Sequence, residues 1–202
     1  MKENLIRQSI LIIHSTAPIQ KRITAMASFE VVSRFKEADI NLPTRKTLYS
    51  AGYDFEVAED TLVPSYIQAM QVLYNSYGKN CLTIDEMAGL TKLTGIKPTL
   101  VPTGIKAKLD PNTYLQLSVR SSCPLKNWLV LGNGVGVIDA DYADNADNEG
   151  EIFFQIINLS PFDIQLKKGD RIGQGTILPY GKVSKEENID TVRTGGFGST
   201  EK

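Results

Sequence analysis

The sequence predicts an all-β fold interrupted by one inserted helical hairpin. Three observations carry this expectation: short β-rich runs bounded by Gly, Pro, Asn and Asp; strict alternation through Tyr114-Leu115-Gln116-Leu117-Ser118-Val119; and one stretch, residues 65–94, with apolar residues at helical spacing. Residues 1–26 read as an N-terminal arm. The apolar run 10–13 within it is too short for a signal peptide or a membrane span and suits a strand or a packed helix face. Ser28-Phe29-Glu30-Val31-Val32 reads as a first strand. In the insert, Ile67, Met70, Leu73, Tyr74 and Tyr77 share a helix face, and Gly78-Lys79-Asn80 ends it. A second helix is expected from Thr83, whose hydroxyl caps it while Glu86 reaches back, with Met87, Leu90 and Leu93 on its apolar side. The hairpin's stripe either packs on the parent sheet or offers a surface to a partner. Thr99-Leu100-Val101, the alternating strand, and runs at 152–157 and 176–178 complete a sandwich or barrel. In the alternating strand Tyr114, Gln116 and Ser118 face one way and Leu115, Leu117 and Val119 the other.

At 202 residues the chain suits one domain with an appendage. Its 22 basic and 23 acidic residues leave a formal charge of −1, so no long-range field would hold it on a nucleic-acid duplex. A nucleotide monomer is the better ligand. Cys81 and Cys123 stand far apart, which argues against a disulfide framework or a paired-cysteine zinc site and for a reducing, cytoplasmic compartment. His14 is the single histidine, and no Pro-Cys-x-x-Cys occurs, so zinc-dependent deamination is excluded.

Five ordered stretches carry the chemistry: Ala51-Gly52-Tyr53-Asp54, Arg120-Ser121-Ser122, Gly132-Asn133-Gly134-Val135-Gly136-Val137-Ile138-Asp139-Ala140-Asp141-Tyr142, Arg171-Ile172-Gly173-Gln174, and Gly195-Gly196-Phe197-Gly198-Ser199-Thr200. Attack on a triphosphate needs a positioned water, a carboxylate to deprotonate it, and donors to absorb charge as pyrophosphate leaves. Asp139, after the apolar Val137-Ile138, is the candidate base, a turn-capping Asp being the alternative. Arg120-Ser121-Ser122 brings a guanidinium and two hydroxyls to the end of the alternating strand, a natural phosphate cradle. The glycines around Asn133 let backbone groups approach a planar base. The C-terminal Gly-rich run lacks the Lys of a Walker A loop but could fold over a ligand and exclude water. Residues 141–151 read as a solvated acidic loop.

Taken together, the five stretches resemble the homotrimeric dUTP diphosphatases (dUTPases) over roughly residues 27–200. The resemblance implies a distorted jelly-roll of the β-clip type over 27–190, a C-terminal arm over 191–202, and hydrolysis of dUTP to dUMP and pyrophosphate by a homotrimer with shared sites. It also implies Mg2+ held by the triphosphate and water, with Asp54 reaching the ion through water. By the same resemblance, Asn133 and the 132–139 turn, including Val137 and Ile138, read uracil, and Tyr142 packs beneath the deoxyribose. Gln174 would reach the phosphates and Arg171 would pair with Asp54. Arg193 would grip the terminal phosphate, while Phe197, Gly198 and Ser199 close the site from another subunit. Two other readings stay open. One is a dCTP deaminase, which shares the fold and an Arg-Ser-Ser turn. The other is a regulatory, protein-binding trimer that uses the helical insert.

Overall fold

A computed structural model describes residues 27–78 and 81–185. The expected N-terminal arm and the C-terminal arm, with Arg193, Phe197, Gly198 and Ser199, lie outside the described residues. In chain order the strands are β1 (Ser28–Val31), β2 (Tyr53–Glu56), β3 (Thr61–Val63), β4 (Thr99–Pro102), β5 (Ile105–Lys108), β6 (Thr113–Val119), β7 (Leu129–Leu131), β8 (Gly136–Ile138), β9 (Phe153–Asn158), β10 (Ile164–Leu166) and β11 (Arg171–Pro179). The helices are α1 (Tyr66–Tyr77), α2 (Ile84–Thr94) and the short α3 (Ser122–Asn127).

Small antiparallel sheets build the molecule, in orders β2-β11-β6-β8, β4-β9-β7, β1-β5 and β3-β10. The alternation read in β6 holds: Leu115 and Leu117 are buried, whereas Gln116 and Ser118 face the polar side. The inward faces meet in a core around Phe55, Leu115, Ile105, Ile156 and Phe154. Phe55 sits edge-on to Phe29 at 5.4 Å between ring centroids and tilts against Phe154 at 5.8 Å. Each such ring or aliphatic chain, once buried, contributes about 1.5–3 kcal/mol.

The longest strand, β11, runs through Arg171-Ile172-Gly173-Gln174, a stretch whose glycine hides it from a propensity reading. Gly173 is there because Phe154 lies directly over it: a Cβ at this position would come within 2.0 Å of the ring. The flat strand surface lets the aromatic core close on β11 while Gln174 faces the other way.

The inserted hairpin forms as its end signals specify. Ser65 caps α1 by accepting the Gln68 amide, and Gly78 closes it in the left-handed region at φ +67°. Thr83 and Glu86 make the reciprocal capping box on α2, and Gly95 closes that helix. The hairpin's root is fixed by buried polar groups. Ser65 donates to the Ser160 carbonyl, and the Asn158 side chain donates to the carbonyls of Val63 and Phe162. Its apolar stripe packs only in part. Leu90 is buried and Met70, Leu73 and Met87 are half-buried, but Ile67, Tyr74, Tyr77 and Leu93 from the predicted stripe are exposed.

Replacing Gly173 by alanine should destabilise the fold by at least about 1–3 kcal/mol, the usual cost of overpacking. The check is a lowered urea midpoint with an unchanged denaturant slope.

Candidate functional site

One cluster forms where β2, β11 and the end of β6 meet. Asp54 of β2 lies opposite Gln174 of β11, and Gln174 opposite Ser118 of β6, so three neighbouring strands present polar side chains on one face. The Asp54 side chain is only 4% exposed. Burying a carboxylate is costly unless charged or polar donors surround it. Here Gln174 Nε2 donates to Oδ1 at 3.0 Å, Arg171 Nη1 approaches Oδ2 at 3.4 Å, and Arg120 Nε stands 3.8 Å from Oδ1. The expected Arg171–Asp54 pair is present. Gln174, read from the sequence as a phosphate contact, has its amide on the same carboxylate.

Arg120 leaves β6 with its amide donating to the Ile172 carbonyl at 3.4 Å and its own carbonyl accepting from Cys123. This turn delivers Ser121, which is exposed, and Ser122, which opens α3. Arg120, Ser122 and Arg171 share the wall of a polar cleft of about 370 Å³. Cys123 beneath it donates to the Ile172 carbonyl, and burial pushes its thiol pKa up, so it packs as a neutral group. Cys81 and Cys123 are both free thiols.

A second cluster forms at the other edge of the same sheet. The connection from β7, in the β4-β9-β7 sheet, to β8 turns through Asn133 and Gly134, with Gly134 at φ +70° and its amide donating to the Leu131 carbonyl. Asn133 is exposed at the tip. Val137 is 54% exposed on the strand's outer face, while Ile138 packs against the core. Asp139 then starts a tight turn, its carbonyl accepting from Tyr142 at 3.1 Å. The Tyr142 ring is buried, its hydroxyl donating to the Glu151 carbonyl at 3.0 Å and accepting from Asn148 at 2.8 Å.

Residues 141–151, expected to be a solvated acidic loop, are exposed at Asp141, Asp144, Ala146 and Asp147, but Asp144 and Glu149 are paired with lysines of β5. The Asn145 side-chain oxygen accepts the amides of Asp147 and Asn148, and its nitrogen bonds the Tyr142 carbonyl. Lys106, buried on β5, donates to Asp144 and to Glu149 at 2.8 Å, and Lys108 adds a second contact to Asp144. A long-range lysine pairing of this kind leaves no local pattern in the loop's own sequence. Burial works to lower the Lys106 pKa, but the two carboxylates raise it overall. Among the described residues no group of three His, Cys, Asp or Glu side chains could hold a metal ion by itself.

Asp139 and Arg120 do not meet within one chain. Ile138 pairs with Leu115, which sets Asp139 level with Tyr114, six residues along β6 from Arg120. At about 3.4 Å per residue that is about 20 Å.

The sequence and the fold both have counterparts among known proteins. A family model described as dUTPase matches residues 90–201. The deoxyuridine 5'-triphosphate nucleotidohydrolase of Lactococcus lactis is 40% identical over 173 residues, covering 85% of this chain and 95% of that protein. The Rickettsia rickettsii protein of the same name is 35% identical over 130 residues, covering 62% and 82%. Among solved structures, a dUTPase from Streptococcus mutans aligns with a TM-score of 0.60 at 34% identity over 78% of this chain and 98% of that one. A dUTPase from phage phi11 of S. aureus, described with a structural Mg(II) ion, aligns with a TM-score of 0.53 at 16% identity, covering 82% and 97%, a likeness of fold.

The loop network predicts an acid-sensitive term in stability. Lys106 first, then the Ser33 amide, pull the Glu149 carboxyl from its ordinary 4.5 down to about 2. A depressed carboxyl stabilises the folded state above its ordinary value, and that contribution is lost as pH falls through about 2. Melting temperature measured across this window should therefore fall more steeply for the wild type than for Glu149→Gln.

Proposed function

The chain belongs to the dUTPase family and is a hydrolase acting on dUTP, and we propose that it works as a homotrimer whose active sites are each shared between copies. The single observation that carries this reading is the β6–β8 register, which holds Asp139 about 20 Å from Arg120 along one strand pair. A triphosphate cannot use both groups of one protomer at once. In a closed ring of copies, the Asp139 turn of one can face the Arg120-Ser121-Ser122 turn of the next.

In the proposed site, backbone groups of the Asn133–Gly134 turn read the uracil edge, flanked by Val137 and Ile138. Tyr142, held by Glu151 and Asn148, forms a fixed floor beneath the deoxyribose. Asp139 orients a water and takes its proton as the oxygen attacks the α-phosphorus in line. The bond from that phosphorus to the oxygen bridging to the β-phosphate breaks, giving dUMP and pyrophosphate. Arg120, Ser121 and Ser122 absorb the charge that develops on the leaving group. Asp54 and Gln174 keep the Arg120 guanidinium in place. Arg193, Phe197, Gly198 and Ser199 would close over the nucleotide from the C-terminal arm. Mg2+ would be held by the phosphate oxygens and water, with Asp54 reaching it only through water, and it would neutralise triphosphate charge. The two free thiols fit a cytoplasmic enzyme.

A specific observation favours a second role for the insert. Helix α1 carries no charged residue and leaves Ile67, Val72, Tyr74 and Tyr77 exposed, a surface suited to an apolar protein partner. Excising residues 65–94 and joining Pro64 to Gly95 with a short glycine linker should leave dUTP turnover and trimer mass unchanged. Loss of the trimer would assign the hairpin to assembly instead.

Asp139→Asn should retain dUTP binding while lowering turnover by about 10²–10⁴-fold, the usual contribution of a general base. Arg120→Ala should also be nearly inactive. Refolded together in equal amounts, the two variants should recover roughly a quarter of wild-type activity by random mixing, because complementary copies rebuild intact shared sites. No recovery would place each site within one chain.

A further inference from the structure

The proposed reaction leaves one buried charge without a task. Glu151 is 2% exposed, beneath the segment that carries Tyr142, and a carboxylate so placed costs stability unless it is well paired. An apolar side chain of similar volume would often serve the core as well or better. What the acid supplies instead is a fixed geometry. Arg34, in the turn Ser33–Phe35 that follows β1, grips it with two nitrogens: Nε stands 2.8 Å from Oε2, and Nη2 donates to Oε1 at 3.1 Å. The Gly104 amide also donates to Oε1, at 3.1 Å. The guanidinium lies 4.4 Å from the centre of the Phe35 ring and 5.8 Å from that of Phe153, so rings as well as charge hold it in place.

Short links join this pair to Tyr142. The Tyr142 hydroxyl donates to the main-chain carbonyl of Glu151 at 3.0 Å. Gly150, one residue earlier, sits at φ +79° with its backbone pressed on the 142–143 peptide: a Cβ there would come within 2.6 Å of Ala143 Cα and 2.7 Å of the Tyr142 carbonyl oxygen. On the other side of Gly150, the Glu149 carboxylate accepts the Ser33 amide at 2.8 Å. Two consecutive residues of one turn, Ser33 and Arg34, therefore hold the two acids that flank Gly150 from 116 and 117 positions away in the chain. A shift of Glu151 moves the acceptor of the Tyr142 hydroxyl, and the close packing at Gly150 passes the shift to the Tyr142 main chain, whose amide closes the Asp139 turn.

We infer that Arg34 and Glu151 are positioning residues for sugar selectivity: acting through Tyr142, they hold its ring where a 2′-deoxyribose fits and a ribose does not. The inference rests on the reading of Tyr142 as the floor beneath the deoxyribose and deepens it by naming what keeps that floor rigid. Rigidity is the requirement, because a ribose differs by a single oxygen and a floor that yields by a fraction of an ångström admits it. An apolar surface rejects an added hydroxyl by only about 10²-fold at best, so little movement is needed to lose much of the preference.

The test is kcat/KM for dUTP and for UTP, measured on the full-length protein well below the melting temperature of each variant. Arg34→Met alone strands a buried carboxylate, so it is combined with Glu151→Gln, whose amide oxygen still accepts from Gly104 and leaves no buried charge. This double variant should lose about 10-fold of the dUTP-over-UTP preference. A pair that served stability alone would lower both rates together and leave their ratio unchanged. Arg34→Lys, which keeps the charge but not the two-nitrogen grip, should fold as the wild type and lower the ratio about 3-fold. Tyr142→Ala should lower it at least as far as the double variant, and adding the double substitution to Tyr142→Ala should change it no further. A wild-type ratio in both the double variant and Arg34→Lys, with Tyr142→Ala reduced, would overturn the inference and leave the floor reading standing. A wild-type ratio in Tyr142→Ala would remove the floor reading and the inference with it. If the double variant does not fold, the Arg34→Lys ratio decides.

Discussion

A buried aspartate ties this structure to its chemistry. Asp54 sits almost without solvent at the junction of β2, β11 and the end of β6, and its carboxylate gathers Gln174, Arg171 and Arg120. Leaving such a group unpaired would cost several kcal/mol, so the fold and the guanidinium positions are coupled. The strands cannot take their register without bringing the arginines together. The arginines cannot leave without exposing a desolvation cost in the sheet. In the proposed reaction this coupling pre-places the charge that receives a leaving phosphate, so little reorganisation is needed during attack.

The opposite edge of the sheet obtains its rigidity differently. There the β7–β8 turn is tight and glycine-rich, and the segment after Asp139 is locked by Tyr142, Asn145 and Asn148. The buried Lys106 on β5 then fastens the loop's acids to another sheet. The two edges of the four-stranded sheet therefore present preformed surfaces, one cationic around Arg120 and Arg171 and one built on the Asn133 turn and Tyr142. Both belong to the same strand pairing, which also keeps them apart. The proposed trimer follows from that separation, since a second copy can supply the missing half without any bending of the sheet.

The inserted hairpin shows how local and distant forces divide the work. Its helices are specified by their ends, through Ser65, Thr83, Glu86 and the two closing glycines. Its orientation is specified elsewhere, by Asn158 and Ser160 on the strand and loop that receive it. The outcome is a pair of regular helices with much apolar surface still in water. That surface distinguishes the insert from a strut that merely covers a sheet face.

Much was legible in the residues alone. Alternation in β6, the hairpin caps and the ordered stretches around Asp54, Arg120, Asp139 and Gln174 each report a local requirement: a period, a capping hydroxyl, a glycine turn, a family-like cradle. The sequence also suggested that Arg171 seeks Asp54, an acid-base pairing across 117 positions. It did not reveal that β11 begins at Arg171, because Gly173 has no strand propensity and is explained only by the Phe154 ring above it. It did not reveal that Asp144 and Glu149 in the 141–151 loop are neutralised, because Lys106 lies far off in the chain. By itself the sequence determined the fold class, the helical hairpin and the family to which the chain belongs. The distance between Asp139 and Arg120, and the neighbours of each buried charge, were decided only when strands paired, since register and burial depend on contacts between residues that no local pattern connects.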